Sequence, residues 1–251
     1  MPLLNTRVET GIALITISNP DCRNALGPEE FEGLARAWEE IALDASVRCV
    51  VVTGAGLSAF CSGAKLGADF GAVLDLNDLV DRALLKTRVF PRPIVAAVNG
   101  HCVAGGFELM LACDVRVASD DAKFGLPEVH WGIVPSGGAA MKLVEQIGHA
   151  RAMRLLLTAE LVSAQDALQF GIVNEAVRPS DVMSRALHFA RMIAANSPLA
   201  VLHTKQLALA GRAEMWRARE PAERRSADLV RGSSDAEEGR RAFFATQDPK
   251  Y

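Results

Sequence analysis

The sequence predicts an α/β protein that ends in an all-helical region. Apolar, β-branched runs closed by glycine or Asn-Gly alternate with segments of helical period over roughly the first 190 residues. Strands then stop after about residue 178, and only helical patterns follow. The 251 residues, 50% hydrophobic and 23% charged, suffice for one large domain with a small appendage.

Each element has a local reason. Gly11-Ile12-Ala13-Leu14-Ile15-Thr16-Ile17 is apolar and β-branched, a buried strand. Pro28 suits a first helical position, and Phe31, Leu34, Ala35, Trp38, Ile41 and Ala42 follow at helical spacing. Val47 to Thr53 is a second strand, ended by Gly54-Ala55-Gly56, and a helix follows near 78–89. Pro93 to Val98 is a third strand, closed by Asn99-Gly100; Val115 to Ala118 is a fourth; Gly171 to Val177 is another. Helices fill 105–113, 137–147, 149–157 and 163–169. The tail carries helical patterns near 181–195, 198–210 and 213–231, then a short amphipathic end at 235–245. This divides the chain into a core, 1–195, and a helical region, 196–251. A helical appendage too small for a core of its own packs on a neighbour, which predicts a homo-oligomer.

Charge and cysteine usage narrow the function. With a net charge of −3, and with the tail's arginines interleaved with glutamates, there is no basic stripe for nucleic acid. No apolar run approaches the ~18 residues of a membrane span. The opening residues Met1 to Arg7 lead directly into a strand, unlike a signal peptide. Five cysteines, an odd number without a Cys-x-x-Cys pair, read as reduced thiols of a cytoplasmic protein. The five histidines show no metal-ligand spacing, so no metal is expected.

Two carboxylates stand out. Glu108 lies between Gly105-Gly106-Phe107 and Leu109-Met110-Leu111, and Glu128 follows Phe124-Gly125-Leu126-Pro127. A carboxylate in apolar sequence needs a partner or a task, and two of them suggest acid/base chemistry. Two glycine turns accompany them: Phe60-Cys61-Ser62-Gly63-Ala64-Lys65-Leu66, and Asn99-Gly100 through Gly105-Gly106. In each, small residues follow a strand and lead toward a helix, where free N–H groups can face a ligand. Two such donors on one carbonyl oxygen make an oxyanion hole; such turns also serve simply as packing accommodations. There is no phosphate loop, no Gly-x-Gly-x-x-Gly and no Gly-x-Ser-x-Gly elbow. Met110, Leu111 and Met141 fit helical packing, and His101 fits a turn.

The residues resemble the crotonase superfamily, the enoyl-CoA hydratase and isomerase group, over nearly the whole chain. The resemblance is carried by Asn19-Pro20-Asp21-Cys22-Arg23-Asn24-Ala25-Leu26, the two glycine turns, and Phe124 to Glu128 with Gly132-Ile133-Val134-Pro135. Leu161 to Ala167, Gly171 to Asn174 and the terminal Ser234 to Phe243 extend it. It implies a crotonase-like spiral of ββα turns and a C-terminal helical trimerisation region, giving a trimer or a dimer of trimers. It places the N–H groups of Ala64 and Gly105 on the thioester oxygen of an acyl-CoA substrate. It places Glu108 and Glu128 at the two hydratase carboxylates. CoA is then part of the substrate, and no separate cofactor is implied. The adenine segment implies contacts from Arg23 and Ala25; the first turn implies Ser62, Lys65 and Leu66; Ser136 belongs to the water-site turn and Phe243 to the terminal motif.

Some positions depart from the family pattern. Lys65 stands where an aspartate is usual, and it reads either as a contact to a CoA phosphate or as a solvated surface lysine. Ser136-Gly137-Gly138 replaces a more glycine-rich turn but keeps a backbone donor. Ala245-Thr246-Gln247 lies where relatives often carry basic residues. Trp131, with His130, reads as acyl-pocket lining or as core or interface packing. The stretch 67–85 is expected to set acyl chain length. Gly105 to Leu109, Leu126 to Glu128 and Gly132 to Pro135 are especially similar to carnitinyl-CoA dehydratases, which implies an acyl group other than a plain fatty chain. Both glutamates favour hydration or dehydration. The alternatives are an enoyl-CoA isomerase or a hydratase–lyase on the same fold, and a non-catalytic acyl-CoA- or RNA-binding homologue.

Overall fold

The structure is a computed structural model that describes residues 4–70 and 73–251. Residues 71 and 72, in the stretch expected to set chain length, and the first residues of the chain, Met1 to Leu3, lie outside the described residues.

The first sheet is built from β1 (Leu4–Glu9), β2 (Ile12–Ile17), β3 (Cys49–Gly54), β5 (Ile94–Val98), β7 (Val115–Ser119) and β10 (Glu175–Val177), in the order β1-β2-β3-β5-β7-β10. Only β1–β2 is antiparallel; the other pairs run parallel. A second sheet orders β4 (Ala59–Cys61), β6 (His101–Val103), β8 (Lys123–Gly125) and β9 (Val162–Ser163) as β4-β6-β8-β9. Thus β3–β4, β5–β6 and β7–β8 each send one strand into each sheet, a repeated turn of the kind the sequence resemblance implies.

Two helices follow the early strands, α1 (Pro28–Leu43) and α2 (Leu76–Leu84). Then come α3 (Gly105–Leu111), α4 (Ala139–Ile147), α5 (His149–Thr158) and α6 (Ala164–Phe170). The tail is α7 (Val182–Ala194), α8 (Pro198–Arg231) and α9 (Ser234–Ala245). All six residues of β3 are buried, because both faces of the sheet are covered. Val50, Val52, Ile94, Ala96 and Val98 enter the main core with α1 and α3. Their alternating neighbours Cys49, Val51, Val95 and Ala97 pack on Val182, Ala186, Ala190 and Ala194 of α7.

The structure corrects several sequence expectations. The second sheet was not anticipated, because strands of two or three residues are too short to show a period of two. The last strand is confined to Glu175–Val177; Ile172 and Val173 precede it as buried turn residues. The expected helices at 198–210 and 213–231 are one helix of 34 residues, α8, which runs through Gly211 and Pro221. A glycine inside a helix costs about 1 kcal/mol and a proline about 3; between and beyond them α8 is held by its buried Ala213, Trp216 and Ala227, with Trp216 Nε1 donating to Glu145 at 3.2 Å. His101 is the exposed first residue of β6 rather than a turn residue.

Candidate active site

The two glycine turns meet at the ends of β4 and β6. Gly63 adopts φ +87, and a Cβ on it would lie 2.7 Å from Ala104 Cβ and 2.8 Å from Gly105 N. Ala64 forms a parallel bridge with Leu26, whose N–H donates to Gly63 O and whose carbonyl accepts from Lys65 N–H, both at 2.8 Å. In that pattern the N–H of Ala64 itself points away from Leu26, and Ala64 is among the residues that line the site's cavity. The first turn therefore does not open a helix, as its sequence suggested; α2 begins only at Leu76, and a bridge aims the Ala64 N–H.

The second turn does open one. Ala104, at φ 50 and ψ −130, reverses the chain so that Gly105 starts α3 with a free N–H. Gly106 must be glycine, since a Cβ there would stand 2.2 Å from Cys61 O. Gly105 abuts the first turn: its Cβ position is 3.3 Å from Gly63 Cα and 3.6 Å from Ala64 N. Two backbone donors from different strands thus sit side by side.

The carboxylates come from α3 and from the 3-10 turn Pro127–Trp131. Glu108 is 4% exposed, and its Oε1 accepts the N–H of Gly137 at 2.7 Å and of Ala139 at 3.1 Å. Burial pushes its proton affinity up against the pull of those two N–H groups, with Glu223 adding to the rise and Lys86 opposing it. Glu128 is 6% exposed, and its Oε2 has no hydrogen-bond partner among the described residues. Burial raises it above the ordinary carboxylate range, and the charge of Glu108 raises it further. Both carboxyls are thus held above the ordinary carboxylate range, chiefly by burial.

A cavity of about 520 Å³ opens onto both carboxylates and both donors. The twelve residues singled out from the sequence all line it: Glu108, Glu128, Ala64 and Gly105, with Arg23, Ala25, Ser62, Lys65, Leu66, Trp131, Ser136 and Phe243. Val80 and Leu84 of α2 with Ile133, Val134 and Pro135 give it apolar walls. Arg23 and Lys65 are exposed at its rim. Arg23 is in the left-handed region at φ 53, and its carbonyl accepts from Ser62 N–H at 3.2 Å, which ties the segment Asn19 to Leu26 to the first turn. Trp131 packs edge-on against Phe243 of α9, with ring centres 5.1 Å apart. His130 is not among the residues that line the cavity; its ring meets Trp131 edge-on, with centres 4.5 Å apart.

Sequence reasoning missed three buried charges beside Glu108. Lys86 and Lys142 are each 1% exposed, and Glu223 of α8 reaches Lys86 at 3.1 Å. The signal that exposed the glutamates, a charge inside apolar sequence, also marks Lys86 after Leu84-Leu85 and Lys142 after Ala139-Ala140-Met141. It does not mark Glu223, whose neighbours are charged. Asn24 is a buried clamp: its amide donates to the carbonyls of Ala55 at 2.9 Å and Ala59 at 2.7 Å. Among the described residues no group of three metal-ligating side chains gathers, and no helix is long and apolar enough to cross a membrane.

Residues 7–251 match the family described as enoyl-CoA hydratase/isomerase. A curated relative, the (E)-benzylidenesuccinyl-CoA hydratase of Thauera aromatica, is 37% identical over 210 residues, covering 82% of this chain and 81% of the relative. The 2,3-dehydroadipyl-CoA hydratase of Escherichia coli is 35% identical, covering 96% of this chain and 94% of its own. Among solved structures, a carnitinyl-CoA dehydratase from Mycobacterium avium superposes with a TM-score of 0.89 at 36% identity, over 100% of this chain and 99% of that one.

Proposed function

Because the chain belongs to the enoyl-CoA hydratase/isomerase family, we propose that it adds water to, or removes it from, the conjugated double bond of an acyl-CoA thioester. The observation that carries this reading is the pair Glu108 and Glu128, both buried and both facing the cavity that Ala64 and Gly105 also line.

Hydration requires a base for water and an acid for the α-carbon, and a carboxyl pair that holds one proton supplies both. The ionised carboxylate takes a proton from water as the water oxygen bonds to the β-carbon. The double-bond electron pair shifts toward the thioester oxygen, where the N–H groups of Ala64 and Gly105 stabilise the developing charge. One such donor is worth about 2.7–4 kcal/mol in a transition state. The protonated carboxyl then delivers its proton to the α-carbon, so the pair again holds one proton. Dehydration runs the same steps in reverse.

The rim cations Arg23 and Lys65 suit the CoA phosphates, while Ala25, Ser62 and Leu66 form the wall along which the thioester arm enters. Trp131 and Phe243 face the apolar interior with Ser136 beside the carboxylates, a lining that suits an acyl group with apolar bulk. The chain works as a core, 1–195, with a helical region, 196–251, that completes a trimer or dimer of trimers. The exposed Leu157, Leu161, Leu199, Leu207 and Leu229 support that assembly. Free cysteines at Cys22, Cys49, Cys61, Cys102 and Cys113 support a cytoplasmic setting.

The test is the loss of enoyl absorbance when the protein meets a panel of conjugated acyl-CoAs. Glu108→Gln and Glu128→Gln should each slow turnover by about 10²–10⁴-fold. No turnover of any member of the panel, or full activity in both variants, rejects the reading.

A further inference from the structure

We propose that Lys86 and Glu223 form a buried ion pair that positions Glu108 through the turn Gly137–Ala139, making the C-terminal helix α8 a working part of the active site. The proposal rests on the reading of Glu108 as a reacting carboxylate.

The pair is assembled by two local features. Helix α2 ends where Leu85 turns left-handed, at φ 52 and ψ 43, and this reversal sends Lys86 into the interior. A fully buried ammonium needs a counter-charge. It comes from α8, with Glu223 Oε1 at 3.1 Å and Glu220 Oε1 at 3.5 Å. The Glu223 side chain is itself only 9% exposed.

The turn Gly137–Ala139 lies between this pair and Glu108. The N–H groups of Gly137 and Ala139 hold Glu108 Oε1. Neither oxygen of Glu223 has a hydrogen-bond partner among the described residues, so the pair meets this turn through Lys86 rather than through an amide. Gly138, between those two amides, sits at a φ of +103. Gly138 also packs on Lys86: a Cβ there would lie 3.3 Å from Lys86 Cγ. A shift of Glu223 is thus carried by Lys86, which lies against Gly138, to the two flanking amides that orient Glu108. Its charge also disfavours ionisation of Glu108, and that of Lys86 favours it.

The other charged groups facing this cluster are Glu128 from the 3-10 turn, Lys142 of α4, and Arg224 of α8. Lys142 Nζ donates to Leu85 O at 2.6 Å, which fixes the same reversal that buries Lys86. Arg224 lies 3.5 Å from Glu220 and 3.2 Å from Asp75, which balances Glu220 more than Glu223.

The experiment is an isotope-edited infrared titration of the Glu108 carboxyl, its band assigned by its loss in Glu108→Gln, alongside pH profiles of kcat and KM. Glu223→Gln should move the Glu108 titration down by about half a pH unit or more. Glu223→Asp, which keeps the charge but retracts it, should give a smaller shift in the same direction. In Glu223→Gln, kcat should fall about threefold or more while KM stays within about twofold. A Glu108 titration that is unchanged or raised in Glu223→Gln, or an effect confined to thermal stability or KM, overturns the proposal. Should Glu223→Gln fail to fold, an unshifted titration in Glu223→Asp overturns it instead. Activity retained in Glu108→Gln would sink the catalytic reading, whereas the infrared shift reports on the ion pair independently.

Discussion

Gly239 of α9 presses so closely on Trp131 that a Cβ on it would lie 2.0 Å from the Trp131 carbonyl oxygen. Gly132 makes the reciprocal approach, its Cβ position 2.3 Å from Asp235 O. The last helix is therefore fitted against the turn that carries Glu128, and it brings Phe243 to the cavity wall. Gly239→Ala should lift α9 from that turn and disturb the Trp131–Phe243 wall. The expected outcome is a KM raised by about tenfold with a smaller change in kcat, as for lost ground-state binding. Steady-state kinetics on a turned-over acyl-CoA checks it; unchanged KM means α9 does not shape the substrate wall.

Gly63→Ala addresses the donor pair. Its new methyl would collide with Ala104 Cβ and Gly105 N at under 3 Å, in a backbone conformation that alanine rarely adopts. Displacing one oxyanion donor should lower kcat by about 10²–10³-fold. The glutamates should stay in place, so the infrared titration of Glu108 should match the wild type. A variant with normal kcat would remove the two turns from the mechanism.

The pH–rate profile of kcat/KM should be bell-shaped. At low pH both glutamates are protonated and no base remains; at high pH both are ionised and no acid remains. Because burial raises both groups, the acidic limb should lie above the ordinary carboxylate range. Glu128→Gln should flatten the limb that requires the second carboxylate. An acidic limb near the ordinary carboxylate value of about 4.3 would contradict the burial argument.

The same two groups make stability depend on pH. A carboxyl raised above its unfolded value of 4.5 binds more protons in the folded state. Its contribution is fully present below pH 4.5 and is lost as pH rises through the folded value. Glu128→Gln keeps the shape and removes the titration. The melting temperature of the wild type should therefore fall relative to that of Glu128→Gln between about pH 5 and pH 9, by about 2–4 °C for each kcal/mol of linkage. A constant gap across that range would mean that Glu128 titrates alike in both states.

Much of the site was legible because its chemistry depends on residue type at particular places in the chain. A glutamate inside Gly-Gly-Phe-Glu-Leu-Met announces a buried carboxylate by its surroundings. The long central strands and α1 were legible for the same reason: β-branched runs and helical spacing persist over enough residues to declare a period. The short strands β4, β6, β8 and β9 declare none, yet they bring the two glycine turns together. Lys86 was passed over because no neighbour in sequence predicts its partner; Glu223 lies more than 130 residues further on.

By itself the sequence determined the alternation of strand and helix, the two carboxylates and the glycines at which the backbone can approach a ligand, because these follow from local stereochemistry and burial cost. Tertiary structure alone decided that Ala64 is bridged to Leu26 at the cavity wall, that α8 continues through Gly211 and Pro221, and that Glu223 of α8 reaches the buried Lys86. Those outcomes come from packing between distant segments, where burial and charge pairing outweigh the local preference of any one of them.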